Sequence, residues 1–175
     1  WCVRLARASR QRGREMQARA PLMIEHRLIE RMVGKFDSVV ATIRDVGHVD
    51  PSAIDTIVDF IRVYADHTHH GKEEDILFEA LSEKKLTDDE ADTLNQLTKE
   101  HVYAREKVSR LNELNNIYKD GNESVIHEII EVLKKLVDLY PRHIDTEDNH
   151  FFVPVEKYFT DEEQKELLRQ YDEFD

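Results

Sequence analysis

The chain is poor in residues that cross-link polypeptides, interrupt helices or build membrane spans. It has one cysteine, five glycines and four prolines among 175 residues. The single Cys2 excludes an intramolecular disulfide and a cysteine-based zinc or iron–sulfur site, and a reducing cytoplasm is the simplest location. No apolar run approaches the ~20 residues of a membrane span. The nine histidines are therefore considered as candidate metal ligands without a competing group of thiolates.

Acidic residues outnumber basic ones. The chain has 25 lysines and arginines against 37 aspartates and glutamates, which gives a formal net charge of −12. A nucleic-acid partner needs a basic face, so the composition argues against one. Residues 1–14 hold five arginines and no acidic residue, and they lack the apolar stretch of a secretory signal. We assign residues 1–20 to a basic N-terminal extension and residues 21–175 to one domain.

Apolar residues recur at steps of three and four in four long segments, which predicts an all-α protein. The first predicted helix begins near Pro21, a residue suited to a first turn, and ends at Gly47. The second begins at Pro51, after an aspartate that caps it, and reaches about Glu83. Short connections between long helices predict an up-down-up-down four-helix bundle.

Two capping boxes and one proline mark the second half of the chain. The third predicted helix begins at the capping box of Thr87 and stops at Gly121. The fourth follows from about residue 122 to beyond Glu147, and Pro141 is expected to kink or loosen it. A second capping box at Thr160 starts a short fifth helix at the C-terminal end of the domain.

Two polar residues interrupt the apolar face of the second predicted helix. His69 and Glu73 lie one turn apart on the face that also carries Ile61, Ala65 and Ile76. Burying each polar group without a partner costs roughly 2–7 kcal/mol, which a bound metal ion would offset. The alternative is a surface pair at i,i+4, which adds only a few tenths of a kcal/mol.

An internal repeat favours the metal hypothesis. A shift of 74 residues superimposes one His-x-x-x-Glu segment on another, and a shift of 75 superimposes two single histidines, each preceded by glutamate. Each half of the chain therefore carries one single histidine and one His-x-x-x-Glu, as expected of a duplicated helical hairpin. The six repeated positions, our candidate metal ligands, are His26, His69, Glu73, His101, His143 and Glu147.

Four imidazoles and two carboxylates suit iron, manganese or zinc, whereas calcium and magnesium prefer oxygen ligands alone. Six side chains overfill one tetrahedral site and underfill two octahedral ones. We therefore expect two divalent ions bridged by Glu73 and Glu147, with positions left for solvent or a small ligand.

The pattern His-x-x-x-Glu-Glu-x-x-Leu-Phe at residues 69–78, taken with the other four positions, resembles the hemerythrin family. The likeness is to its bacterial and archaeal HHE cation-binding branch, and it extends from residue 21 to about 158. The resemblance implies a four-helix bundle with a non-haem di-iron centre, bridged by two carboxylates and an oxo or hydroxo group. By that resemblance the iron ligands are the same six residues, with zinc or manganese as possible substitutes.

The chain departs from oxygen-carrying hemerythrins at two positions. Those proteins have a second histidine one turn after the ligand of the third helix, where this chain has Arg105. They place the last carboxylate five residues after its histidine, where this chain has Asp148, but the repeat favours Glu147. The position lost at Arg105 stays open or is filled by Glu30, for which a solvated charge is the alternative.

The remaining histidines are expected outside the centre. His70 follows a candidate ligand but is rotated from it by about 100° on an α-helix, which predicts an exposed or rim position. His67 and His150 flank the same layer, where exposed or rim positions are expected and the alternative is a role in orienting the ligands. His48 and His127 lie far from the layer, so surface positions are expected for them.

The resemblance and the donor set imply a di-iron protein that binds, carries or senses a small diatomic ligand, either O2 or NO. A centre with few carboxylates is less suited to high-valent iron than a glutamate-rich one, which favours reversible binding over hydroxylation. The alternative is a di-iron enzyme or iron donor that reduces peroxide or NO or repairs iron–sulfur clusters. Repair proteins of this kind often carry an N-terminal cysteine motif, whereas this chain has only Cys2.

Overall fold

The computed structural model describes residues 17–175, which form five helices and no β-strand. Most of the predicted basic extension, residues 1–16, lies outside the described residues. The helices are α1 (Arg19–Val46), α2 (residues 51–82), α3 (Asp88–Lys119), α4 (residues 126–155) and α5 (Asp161–Phe174). The all-α prediction is confirmed. Within residues 17–175, no helix combines the length and the apolar character that crossing a bilayer requires.

The helices begin and end where the local signals predict. Gly47 ends α1 with a φ of 69°, in the left-handed region that glycine adopts without strain. At the start of α2, the carboxylate of Asp50 accepts a hydrogen bond from the backbone N–H of Ser52. Thr87 and Thr160 begin α3 and α5 in complete capping boxes. Helix boundaries therefore follow from local side-chain chemistry.

The first four helices form a closed ring in which α1 contacts α2, α2 contacts α3, α3 contacts α4, and α4 contacts α1. The fifth helix packs outside this ring, against the segment Glu73–Phe78 of α2. This arrangement is the predicted up-down-up-down bundle with one additional helix. It directs one face of each of the four long helices towards a common interior.

Two helices depart from regular α-helical winding beside their polar residues. The segments Ile61–His70 and Glu73–Phe78 of α2 and Thr146–Phe151 of α4 are π-helical, with hydrogen bonds from residue i to i+5. The sequence pattern predicts uninterrupted α-helix in α2. In α4 the helix continues through Pro141 to Asp145, and the loosening that proline predicts occurs after it, in the π segment.

The apolar core is divided into two clusters by a polar layer. The larger cluster occupies most of the bundle and includes Ile29, Phe36, Leu111 and Leu133. The smaller cluster lies at the end covered by α5 and includes Leu22, Leu81, Leu97, Phe151 and Tyr171. Full burial of such side chains stabilises the fold by about 1.5–3 kcal/mol each. The polar layer is thus enclosed at both ends by apolar packing.

Candidate metal centre

The six repeated polar residues converge in the layer between the two apolar clusters. Their exposed fractions are 0–4%, and burial of six such polar groups without partners would be costly. Each of the four bundle helices supplies one histidine, and α2 and α4 each supply one glutamate in addition. The six residues are His26, His69, Glu73, His101, His143 and Glu147.

Each glutamate places one oxygen among the imidazoles on each side of the layer. Oε2 of Glu147 lies 3.1 Å from Nε2 of His26, and Oε1 lies 3.2 Å from Nε2 of His143. Oε1 of Glu73 lies 3.2 Å from Nε2 of His69, and its Oε2 lies 3.5 Å from Nε2 of His101. Each carboxylate therefore has one oxygen beside the pair His26 and His69 and the other beside the pair His101 and His143.

These donor atoms form two groups, each compact enough to hold one metal ion. In each group the ligand atoms lie within 4.8 Å of one another. The first group is His26, His69, Glu73 and Glu147, and the second is His70, Glu73, His101 and His143. Because Glu73 belongs to both groups, the two positions are adjacent.

The carboxylate oxygens of Glu73 and Glu147 are all buried and have no hydrogen-bond partner, and Nε2 of His26 is in the same condition. An unsatisfied buried polar group costs about 1–3 kcal/mol, and more when it is charged. Five such atoms facing one another are explained by cations that bind them together. The residues present therefore fit a pair of metal ions.

A second set of carboxylates orients the imidazoles. Each of the four histidines of the repeat donates its Nδ1–H to a carboxylate oxygen at 2.6–2.8 Å, which leaves Nε2 free to face the centre. The donor–acceptor pairs are His26–Asp148, His69–Glu25, His101–Glu74 and His143–Glu100. This arrangement selects the tautomer that a metal ligand needs.

Basic side chains hold three of these outer carboxylates in place. Nζ of Lys72, itself buried, lies 2.6 Å from Glu25, and a guanidinium nitrogen of Arg105 lies 2.8 Å from Glu74. Arg27 pairs with Asp148. Burial alone raises the pKa of Glu25, but its hydrogen bonds with His69 and Lys72 outweigh burial and lower that pKa.

The metal-free centre favours protonation of two of its imidazoles, those of His69 and His143. Burial lowers the pKa of His69, but the charge of Glu73 and the hydrogen bond to Glu25 raise it to about 10. His143 behaves in the same way, with a pKa of about 10, because Glu147 and Glu100 face it. Metal binding must displace such protons, so protons and metal cations compete for the same imidazole nitrogens.

The internal repeat of the sequence is reproduced as an approximate twofold symmetry of the contacts. Glu25 orients His69, and its counterpart Glu100 orients His143. The correspondence crosses the two halves for the other pair, since Glu74 orients His101 and its counterpart Asp148 orients His26. Sequence duplication therefore predicts paired contacts as well as paired residues.

His70 breaks this symmetry and corrects the sequence-based prediction. It was expected at the rim, but it is 2% exposed and belongs to the second donor group, whereas its counterpart in the repeat is Ile144. The cause is the π-helical winding of Ile61–His70, which holds more residues per turn and turns His69 and His70 towards the same interior. No periodicity in the sequence marks this segment.

The other expectations near the centre have mixed outcomes. Asp148 lies in the π-helical segment of α4, is buried, and accepts a hydrogen bond from Nδ1 of His26. Arg105 binds Glu74 and Asp66 and leaves the centre to the histidines. Glu30 is an exposed charge paired with Arg27 at 3.0 Å. The histidines expected at the surface are exposed: His48, His67, His127 and His150.

Comparison with known proteins identifies one family. The family model described as the Hemerythrin HHE cation binding domain matches residues 19–155 and, separately, residues 92–175. The first match covers α1 to α4 and includes every residue of both donor groups. The search of curated proteins and the search of solved structures each found no match.

Proposed function

Since the chain belongs to the hemerythrin HHE cation-binding family, we propose that it holds two iron ions and binds, carries or senses a small diatomic ligand, O2 or NO. The observation that carries the proposal is the division of four unpaired carboxylate oxygens between two groups of imidazoles. Glu73 and Glu147 are the bridging carboxylates in this proposal.

Seven side chains serve as iron ligands in this proposal, because His70 joins the six residues of the repeat. Imidazole nitrogen and carboxylate oxygen together suit iron, and they also accept manganese or zinc. The outer carboxylates support this role, because ligating histidines in metal sites commonly donate their second ring N–H to such a group. Magnesium and calcium are disfavoured by the five nitrogen donors.

The two positions differ in their protein ligands. One side has the imidazoles of His26 and His69, and the other has those of His70, His101 and His143. The side with two imidazoles therefore has the larger share of coordination positions for an external ligand. When bound, ferrous iron supplies the electrons and the exchangeable positions that binding of a diatomic molecule requires.

The surroundings of the centre favour a small ligand over a larger substrate. The ring of Phe152 stacks on His26 with centroids 5.9 Å apart, and the ring of Phe78 lies 6.1 Å from His101 in the same orientation. Phe151 contacts Phe78 at the end of the bundle covered by α5. These aromatic rings enclose the layer in apolar material and exclude bulk water.

The proposal is tested by loading the protein with ferrous iron without oxygen, followed by elemental analysis and optical spectroscopy. We expect two iron ions per chain and new absorption bands when O2 or NO is admitted. In Glu147→Gln, the iron content and the absorption bands should both be lost. Binding of a single zinc ion with no uptake of iron contradicts the di-iron centre. Full iron loading without any spectral response to either gas contradicts the ligand-binding role alone.

A further inference from the structure

Tyr171 of α5 carries a buried hydroxyl group that neither the metal ligands nor their outer carboxylates use. The residue is 1% exposed and belongs to the smaller apolar cluster. Among residues 17–175, its hydroxyl oxygen has no hydrogen-bond partner. Burial of a polar group without a partner costs free energy, and nearly all buried polar groups in native proteins are paired. The hydroxyl is therefore available as a donor to a molecule that binds beside it.

The packing of α5 places Tyr171 next to one side of the metal centre. This helix lies against the segment Glu73–Phe78 of α2. Burial raises the pKa of Tyr171 far above its usual range, and the negative charges of Glu73 and Glu25 raise it further. Both carboxylates are partners of His69, Glu25 at 2.8 Å from Nδ1 and Glu73 at 3.2 Å from Nε2. The hydroxyl thus lies on the His69 side and keeps its proton at neutral pH.

The last turn of α5 is held on α2 by two contacts that follow Tyr171 in the chain. The ring of Phe174 lies against Gly71, where an added Cβ atom would be 2.5 Å from Cζ of the ring. Nζ of Lys72 lies 2.5 Å from Oδ1 of Asp175. These contacts fix the phenol before any ligand arrives, so little conformational entropy is lost when it forms a hydrogen bond.

We propose that Tyr171 donates a hydrogen bond to a small ligand bound on the side of the centre that holds His26 and His69. This side has two imidazoles against three on the other, so it has the larger share of positions for an external ligand. A hydroxyl bonds most strongly to a charged acceptor, so Tyr171 favours ligands that carry negative charge when bound. The identity of the natural ligand as O2 or NO rests on the proposed function.

Tyr140 of α4 provides a matched comparison within the same chain. It is 2% exposed, and its hydroxyl also has no hydrogen-bond partner in the described part of the chain. Burial raises its pKa, and the charges that act on it are those of Asp66 and Arg105. Asp66 is the carboxylate next to His70, on the side with three imidazoles. The two buried phenols, Tyr140 and Tyr171, therefore belong to opposite sides of the centre.

The proposal is tested with azide, a small anion that binds ferric iron directly, on the iron-loaded and oxidised protein. Tyr171→Phe removes the hydroxyl and keeps the ring. Because the hydrogen bond forms once the ligand is bound, this variant should release azide about tenfold faster while the association rate stays the same. Tyr140→Phe should match the wild type in both rates. Equal release rates in Tyr171→Phe and the wild type overturn the proposal.

Infrared spectroscopy of bound azide separates a hydrogen bond from a purely structural role of Tyr171. The azide stretching band of the wild type should shift between H2O and D2O, because the donated O–H exchanges to O–D. Tyr171→Phe should lose this shift, and Tyr140→Phe should retain it. An equal shift in Tyr171→Phe assigns the hydrogen bond to another donor and overturns the proposal. If Tyr171→Phe does not fold, the wild type decides, since a band without any shift contradicts the hydrogen bond.

This proposal and the proposed function fail in different ways. If the iron-loaded protein responds to neither O2 nor NO, the proposed function is wrong, while an azide effect confined to Tyr171→Phe still supports the hydrogen bond. If both gases bind but azide leaves the wild type and both variants at the same rate, the proposed function stands and the role of Tyr171 is wrong. Protein that takes up no iron contradicts both.

Discussion

The imidazole of His70 stacks on that of His101, with ring centroids 3.8 Å apart and an angle of 12° between the planes. The first ring comes from α2 and the second from α3, so the contact joins two neighbouring helices. It places a third imidazole on the side of the centre where Arg105 stands in place of the second histidine of oxygen carriers. The bundle thus supplies from α2 a nitrogen donor that α3 lacks.

The role of His70 can be measured by substitution with its exposed neighbour as control. Removing a residue that hydrogen-bonds to a metal ligand usually lowers metal affinity 10–100-fold. Loss of a direct donor in His70→Ala should therefore lower the affinity for one of the two ions by about 100-fold or more. His67→Ala, three residues away and exposed, should bind both ions as the wild type does. Competition titration with a chelator measures both variants. Equal affinities in the two variants would exclude His70 as a ligand.

Glu147 and Asp148 are adjacent, yet their contacts predict different defects. Glu147 faces His26 and His143 with separate oxygens, so Glu147→Gln should lose iron and any bridging absorption. Asp148 accepts a hydrogen bond from His26, so Asp148→Asn should keep both ions but bind them 10–100-fold more weakly. Elemental analysis and optical spectra compare the variants. The reverse ranking would assign the bridge to Asp148.

Removal of metal should destabilise the fold. Five buried atoms of the centre have no hydrogen-bond partner without a cation. An ion present at 1,000 times its dissociation constant stabilises the folded state by about 4 kcal/mol. For a chain of this length each kcal/mol shifts the melting temperature by about 2–4 °C, so chelation should lower it by roughly 10 °C or more. Calorimetry of loaded and chelated protein measures the shift, and superimposable curves would contradict a metal-held core.

The metal-free protein should lose stability as the pH rises. The pKa of His69 is raised from 6.5 to about 10 in the folded chain, so protonated His69 stabilises that state. This contribution is complete below about pH 6.5 and is lost as the pH approaches 10. The difference in melting temperature between loaded and metal-free protein should therefore widen from pH 6.5 upwards, since metal binding needs deprotonated imidazole.

A His69→Gln variant is the control for this pH dependence. Glutamine keeps a polar side chain but has no proton to lose, so the metal-free variant should show a shallower decline above pH 6.5. Thermal melts across this range in metal-free buffer measure both proteins. A metal-free wild type whose melting temperature is constant over the range would contradict the assignment of a stabilising proton to His69.

Local sequence determined the helical boundaries and most of the buried layer. The capping residues Asp50, Thr87 and Thr160 bond to backbone groups two or three residues away. Their effect can therefore be predicted without knowing which other helix packs nearby. The repeat identified six polar residues on core-facing positions, and the structure buries all six. These features depend on spacing along a single helix, which the order of residues specifies.

Only the tertiary structure decided what surrounds those six residues. The carboxylate that orients His26 is Asp148, 122 positions away, and sequence spacing within one helix gives no information about such a contact. The π-helical winding that buries His70 is likewise not encoded by local propensity, because its weaker hydrogen-bond geometry is stabilised by packing between helices. Helix periodicity selected the residues of the layer, and contacts between helices selected their partners and admitted one more histidine.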